Sequence, residues 1–89
     1  MEERSFEIIN KLGLHARAAA KLVTLASSFA SEIHLRRDDQ TVNGKSIMGV
    51  MLLAASRGTL ITIVAEGEDE SRALDELGDL INRRFDEAE

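Results

Sequence analysis

The chain has 89 residues, enough for one domain that buries roughly 60–65% of the surface its unfolded form exposes, so a core is possible but a deep pocket is not expected. It has no Cys, which excludes disulfides and thiolate metal sites. Sixteen acidic against eleven basic residues give a net charge of −5, and with no Trp, no Tyr and three Phe this argues against general nucleic-acid binding, which needs a basic footprint and stacking aromatics. No repeat, linker or low-complexity stretch interrupts residues 1–89, so a single domain is expected. Neither a leader nor an apolar run long enough to span a bilayer is visible, which predicts a cytoplasmic protein without membrane insertion.

Residues 4–9 alternate well enough for a first strand, with Phe6 and Ile8 on one face. Asn10 to Gly13 read as a turn. A helical run follows, in which Ala19, Leu22, Val23, Ala26, Phe29 and Ala30 recur at three- and four-residue spacing. The alanines at 16, 18, 19 and 20 add helix propensity. His15 then falls at the N-cap. Histidine is not a preferred cap, and such a departure from the local rule is expected where a residue has a function.

A helix starting just after His15 aims its first backbone N–H groups at whatever the imidazole holds. Orphan donors and the helix dipole together favour an anion there. Arg17 adds a permanent cation suited to phosphate oxygens. These parts fit a histidine that carries a phosphoryl group. Neutral imidazole is a nucleophile near neutral pH, and phosphoryl transfer asks the protein mainly for positioning and charge stabilisation. The same residues, taken alone, also fit a surface or capping histidine.

Glu32 to Arg36 alternates again, with Ile33 and Leu35 inward and His34 outward. His34 has no Cys or second His nearby, so no metal site is expected. Arg37-Asp38-Asp39 reads as a hairpin turn, Gln40 to Val42 as the return strand, and Asn43-Gly44 as its end. Ser46 is a good N-cap for a short helix. Ile47, Met48, Val50, Met51, Leu52 and Leu53 are too apolar for a solvated helix. Met48 and Met51 are either an adaptable contact surface or fillers of core gaps. Thr59 to Glu66 is apolar on both faces and predicts a central strand. Gly67 ends it, and Glu68, Asp69 and Glu70 open a last helix with a buried stripe of Leu74, Leu77, Ile81 and Phe85. Short strands interspersed with helices predict an α+β domain, its sheet antiparallel or mixed, with helices on one face.

Two enzyme classes are disfavoured. Gly44-Lys45-Ser46 lacks the leading glycine of a phosphate-binding loop, since position 39 is Asp, and no hydrolase nucleophile motif is present. A small α/β interaction module, with His15 incidental, remains the alternative to a carrier.

Three motifs carry a family resemblance: Gly-Leu-His-Ala-Arg at 13–17, Asn-Gly-Lys-Ser-Ile-Met-Gly-Val-Met at 43–51, and Ala-Glu-Gly-Glu-Asp-Glu at 65–70. In this order they resemble HPr, the histidine phosphocarriers of the bacterial phosphoenolpyruvate-dependent phosphotransferase system. The likeness runs from about Phe6 to Phe85. It implies an open-faced β-sandwich, a four-stranded antiparallel sheet with three helices on one face in the order βαββαβα. It implies that His15 accepts a phosphoryl group from Enzyme I and passes it to an Enzyme IIA-type acceptor protein. Arg17 and the backbone N–H of Ala16 would then hold the phosphate, with no cofactor. Ser46 matches a regulatory serine, the target of a serine kinase and phosphorylase in many members. Ile47, Met48 and Met51 match the partner-docking surface, and a monomer is expected. One departure is Ala18, where many members have proline. Alanine fits the same backbone without strain. The proline-free form also resembles members of the nitrogen-related branch, which stands as the alternative assignment.

Overall fold

The computed structural model describes all residues 1–89. Strands β1 (Glu2–Glu7), β2 (Glu32–Arg37), β3 (Gln40–Asn43) and β4 (Leu60–Glu66) alternate with helices α1 (Ala16–Ser27), α2 (Ile47–Leu52) and α3 (Glu70–Asn82) in the order βαββαβα. The sheet order is β1-β4-β2-β3, and every neighbouring pair is antiparallel. β1 and β2 are therefore parallel to each other on either side of β4, and α1 is the crossover that joins them. This is the α+β, open-faced sandwich that the sequence implies.

Side-chain alternation decides which face is covered. Phe6 lies opposite Ile61, Leu35 lies between Ile63 and Val42, and Ile33 lies opposite Ala65, all on the helix side. The other face is polar and open. Ser5 and Thr62 share a hydroxyl hydrogen bond of 2.8 Å there, and Arg36 reaches Glu3 at 3.3 Å. β4 is central as expected, but only one face of it is buried, since Leu60 remains exposed on the other.

Ala18, Ala19, Leu22, Val23 and Ala26 form the buried stripe of α1, and the small alanines let the helix lie close to the sheet. The predicted stripe overreaches the helix by two residues, because α1 ends at Ser27; of these Phe29 is still buried and Ala30 is exposed. β1 begins and ends two residues earlier than the predicted 4–9; Ile8 is buried, yet lies past the strand. α3 buries Ala73, Leu74, Leu77, Leu80 and Ile81. It presses Gly78 onto Phe6, so that a Cβ at position 78 would sit 2.6 Å from the ring. Arg4 and Asp75, 2.6 Å apart, tie the same helix to β1 at the surface.

The chain leaves the right-handed helix after Asn82. Arg84, Phe85 and Asp86 have φ of 58°, 54° and 64°, three successive non-glycine residues in the left-handed region. Each such residue costs about 1–2 kcal/mol. Phe85 is fully buried, which offsets roughly 1.5–3 kcal/mol of that, and Lys21 Nζ donates to its carbonyl at 2.8 Å. Phe85 is thus in the core, as the stripe predicts, but the backbone carrying it has turned back toward α1. No helix is long and apolar enough to cross a membrane.

Candidate functional site

The site is built on the turn before α1. Gly13 has φ +67°, a conformation that suits glycine, and a Cβ there would lie 2.5 Å from the Ala55 carbonyl oxygen. Leu14 N–H donates to that same carbonyl at 2.8 Å, which anchors the turn to the segment following α2. Asn10 is fully buried, and its Nδ2 donates to Gly13 O at 2.8 Å and to Glu87 Oε1 at 3.1 Å. Two acceptors on one side fix the orientation of the amide. Its Oδ1 is left without a partner.

His15 follows in extended conformation as the N-cap of α1. Its Nδ1 accepts the Arg17 backbone N–H at 3.3 Å, so the ring performs the capping role that Ser or Asp usually fills. Its Nε2 lies 2.5 Å from Glu87 Oε2. An Nδ1 that accepts and an Nε2 facing a carboxylate define the tautomer: the proton is on Nε2, and the Nδ1 lone pair points toward the helix N-terminus. His15 and Glu87 side chains remain 26% and 16% exposed, so the pair is reachable from solvent. The Glu87 carboxyl is held below its ordinary range. Burial alone would raise it, but hydrogen bonds from His15 and Asn10 outweigh that.

An open cleft of about 770 Å³ surrounds the ring, lined by Lys11, Leu12, Ala16, Arg17 and residues 87–89. Arg17 is exposed, and its guanidinium joins none of the ion pairs of the protein. The Ala16 N–H likewise has no protein acceptor. Beside Nδ1 there are thus an uncommitted cation and a free backbone donor at the positive end of a twelve-residue helix. His34 lies on the outer face of the sheet as expected, and no group of His, Cys, Asp or Glu could hold a metal ion.

α2 places the other candidate residues. Ser46 caps it, its hydroxyl accepting Gly49 N–H at 3.1 Å. Ile47, Met48 and Met51 are all exposed, Met48 at 76%. Met48 and Met51 therefore do not fill gaps in the core. Lys45 Nζ donates to Phe29 O at 2.8 Å, so Gly44-Lys45-Ser46 is a turn and cap and not a phosphate cradle. The sequence reading missed Leu12, which is exposed and lines the cleft beside His15, and did not single out Leu52 as exposed. Leu12 was visible as an apolar residue in an otherwise polar turn. It missed Glu87 as well, for which the sequence carries no signal.

Residues 2–83 match the family model described as PTS HPr component phosphorylation site. The chain belongs to the HPr family. It is 54% identical, over the whole length of both chains, to the phosphocarrier protein HPr of Neisseria meningitidis serogroup A. It is 43% identical to the phosphocarrier protein NPr of Shewanella violacea, over 97% of this chain and 94% of that one. Its fold superposes on a crystal structure of HPr from Thermoanaerobacter tengcongensis with a TM-score of 0.96 at 48% identity, covering all of both chains. A second structure from that organism, an HPr dimer, matches with a TM-score of 0.79 at 49% identity, over 98% of this chain and all of that one. The chain is therefore a phosphocarrier of the phosphotransferase system.

Proposed function

We propose that His15 Nδ1 is the phosphoryl acceptor, loaded by phospho-Enzyme I and unloaded to an Enzyme IIA-type acceptor protein. The observation that carries this reading is the Nδ1 lone pair at the N-terminus of α1, beside the unpaired Arg17 guanidinium. As Nδ1 bonds to phosphorus it releases the Arg17 N–H, which with the Ala16 N–H becomes free to meet the phosphoryl oxygens. Arg17 adds a forked cation as charge spreads over those oxygens. The site is open and holds the phosphate by few contacts. That suits a carrier, because tight ground-state binding would slow onward donation. The protein in this reading is no enzyme in its own right; the partner completes the active site.

Ile47, Met48 and Met51 form the docking surface in this reading, and exposed Leu12 adds an apolar contact beside the cleft. Ser46, at the far end of α2, is the regulatory position. A phosphate there would add about −1.5 to −2 charge beside the apolar surface and keep oxygens to cap the helix. The working form is a cytoplasmic monomer. Sugar-linked transfer is favoured over the nitrogen-related branch by the higher identity to HPr than to NPr.

The test is incubation with phosphoenolpyruvate and Enzyme I, read by intact mass. The wild type gains one phosphate, labile in acid and stable in alkali as a P–N bond is. His15→Ala stays folded and gains none. Normal loading of that variant removes the assignment.

A further inference from the structure

The C-terminal segment is not needed to close the core past Phe85, yet it runs back across the site. Its course is set by the left-handed turn at Arg84–Asp86, which redirects the chain after α3. Lys21 pins that turn through the Phe85 carbonyl. The result is that Glu87 faces His15, a residue 72 positions earlier, with one carboxylate oxygen 2.5 Å from Nε2. The other oxygen is held by buried Asn10 at 3.1 Å, and Asn10 in turn is held by the Gly13 carbonyl. The ring is thereby gripped from both sides, by Glu87 at Nε2 and by the Arg17 N–H at Nδ1.

We infer that Glu87 is a positioning residue for phosphoryl transfer, acting through His15 and held in place by Asn10. The inference rests on His15 being the acceptor. In the step it serves, the Nδ1 lone pair forms the new N–P bond. The bond from phosphorus to the donor protein's phosphorylated group breaks, and its electron pair returns to the donor. No proton leaves His15, so the ring that receives the phosphoryl group keeps its Nε2–H and becomes cationic. Glu87 is the carboxylate facing that proton. It holds the ring in the reactive tautomer beforehand and offsets the positive charge as it develops, a preorganised counter-charge of the kind that lowers barriers. On unloading, the same electrons travel in reverse and the neutral Nε2–H tautomer is restored.

The distinguishing variant is Glu87→Gln, which keeps an acceptor for Nε2–H and removes the charge. Glu87→Asp keeps the charge on a shorter arm, and His15→Ala reports whether His15 is the acceptor. Backbone amide spectra establish that each variant is folded. Two readouts follow: the maximal rate and KM for loading by phospho-Enzyme I, and the ring nitrogen and Nε2–H resonances of His15. The expected result for Glu87→Gln is a maximal rate lower by about tenfold, a KM within about twofold of wild type, and an Nε2–H that exchanges faster with solvent. Glu87→Asp should recover part of the rate. A wild-type maximal rate in Glu87→Gln overturns the inference, as does a change confined to KM, which would make Glu87 a docking residue. If His15→Ala still accepts phosphate, the acceptor assignment falls and this inference falls with it. If His15→Ala is inert while Glu87→Gln is unaffected, only the role of Glu87 falls.

Discussion

Asp69 sits at the N-cap of α3 but caps nothing there; its carboxylate instead accepts the Ser31 N–H at 3.0 Å and the Ser31 hydroxyl, with the Ala30 N–H at 2.9 Å. One side chain so closes the α1–β2 loop onto the β4–α3 corner. The Ser31 hydroxyl and the Ala30 N–H hold the Asp69 carboxyl down at about 2. An unfolded Asp titrates at about 3.9, so between these values the unfolded chain binds more protons and stability rises with pH. The contribution is complete above about pH 4 and is lost as pH falls through about 2. Asp69→Asn should be less stable at pH 7 and show a flatter acid limb, with the two proteins converging near the bottom of that window. Urea midpoints measured across the range check this; parallel curves would mean that the carboxylate charge contributes nothing.

Arg17→Ala is expected to slow phosphoryl transfer far more than it destabilises the fold. The guanidinium is exposed and unpaired, while the backbone N–H that caps onto His15 survives the substitution. Removing one donor from an oxyanion-type site costs roughly 2.7–4 kcal/mol of barrier, and this site is open to water, so a loss between about tenfold and a hundredfold is expected. Arg17→Lys should recover only part, because an ammonium lacks the fork. Rapid-quench rates with wild-type Enzyme I provide the measurement.

Ser46→Asp should raise the carrier concentration needed for half-maximal loading several-fold while leaving the maximal rate near wild type. Asp can accept the Gly49 N–H as Ser46 does, and suits the positive helix end, so the fold should hold. The added charge lies on the helix that presents Met48 and Met51, and desolvating it against a partner is unfavourable. Higher salt should shrink the effect if charge repulsion dominates. Ser46→Ala should show no docking defect but lose about 0.5–2 kcal/mol of stability with the cap. Equal half-saturation for wild type and Ser46→Asp at low salt would reduce Ser46 to a cap.

Gly78→Ala tests how tightly α3 lies on β1. The added methyl would meet the Phe6 ring at 2.6 Å, and Phe6, on the edge strand β1, is half-buried opposite Ile61 of β4. Overpacking of this kind costs about 1–3 kcal/mol. The unfolding midpoint should fall with an unchanged denaturant slope, and loading of His15 should be unaffected in the folded protein.

The short-range parts of this fold were legible in the sequence. His15, Arg17, Gly13 and the helix that follows lie within one turn of each other, so spacing alone predicted the N-cap. Ser46 and the 43–44 turn were readable for the same reason, and alternation placed Ile33 and Leu35 inward; in 59–66, apolar on both faces, it did not decide which face Ile61, Ile63 and Ala65 would bury. Glu87 was not legible. It reaches His15 only because Arg84, Phe85 and Asp86 reverse the chain in a conformation their side chains do not favour. Periodicity continues the helix instead, since Phe85 falls four residues after Ile81. It found the right core residue on the wrong backbone. The acids at 68–70 marked the start of the last helix, but the bonds of Asp69 to Ala30 and Ser31 were not legible, because those partners lie on another loop.

None of His15, Arg17, Ser46, Ile47, Met48 or Met51 belongs to the buried cluster that holds the sheet and helices together. The cluster comes from elsewhere on the same elements, from Ala18 and Leu22 beneath His15 and from Val50 beneath Met48 and Met51. In the proposed reading, selection on partner choice and selection on foldability therefore act on almost separate sets of positions. After a gene duplication, one copy could change the two methionines, or the residues beside the histidine, and answer to a different enzyme without crossing a stability threshold. A scaffold partitioned in this way makes parallel relays in one cell easy to evolve, and insulation between them a matter of a few surface side chains.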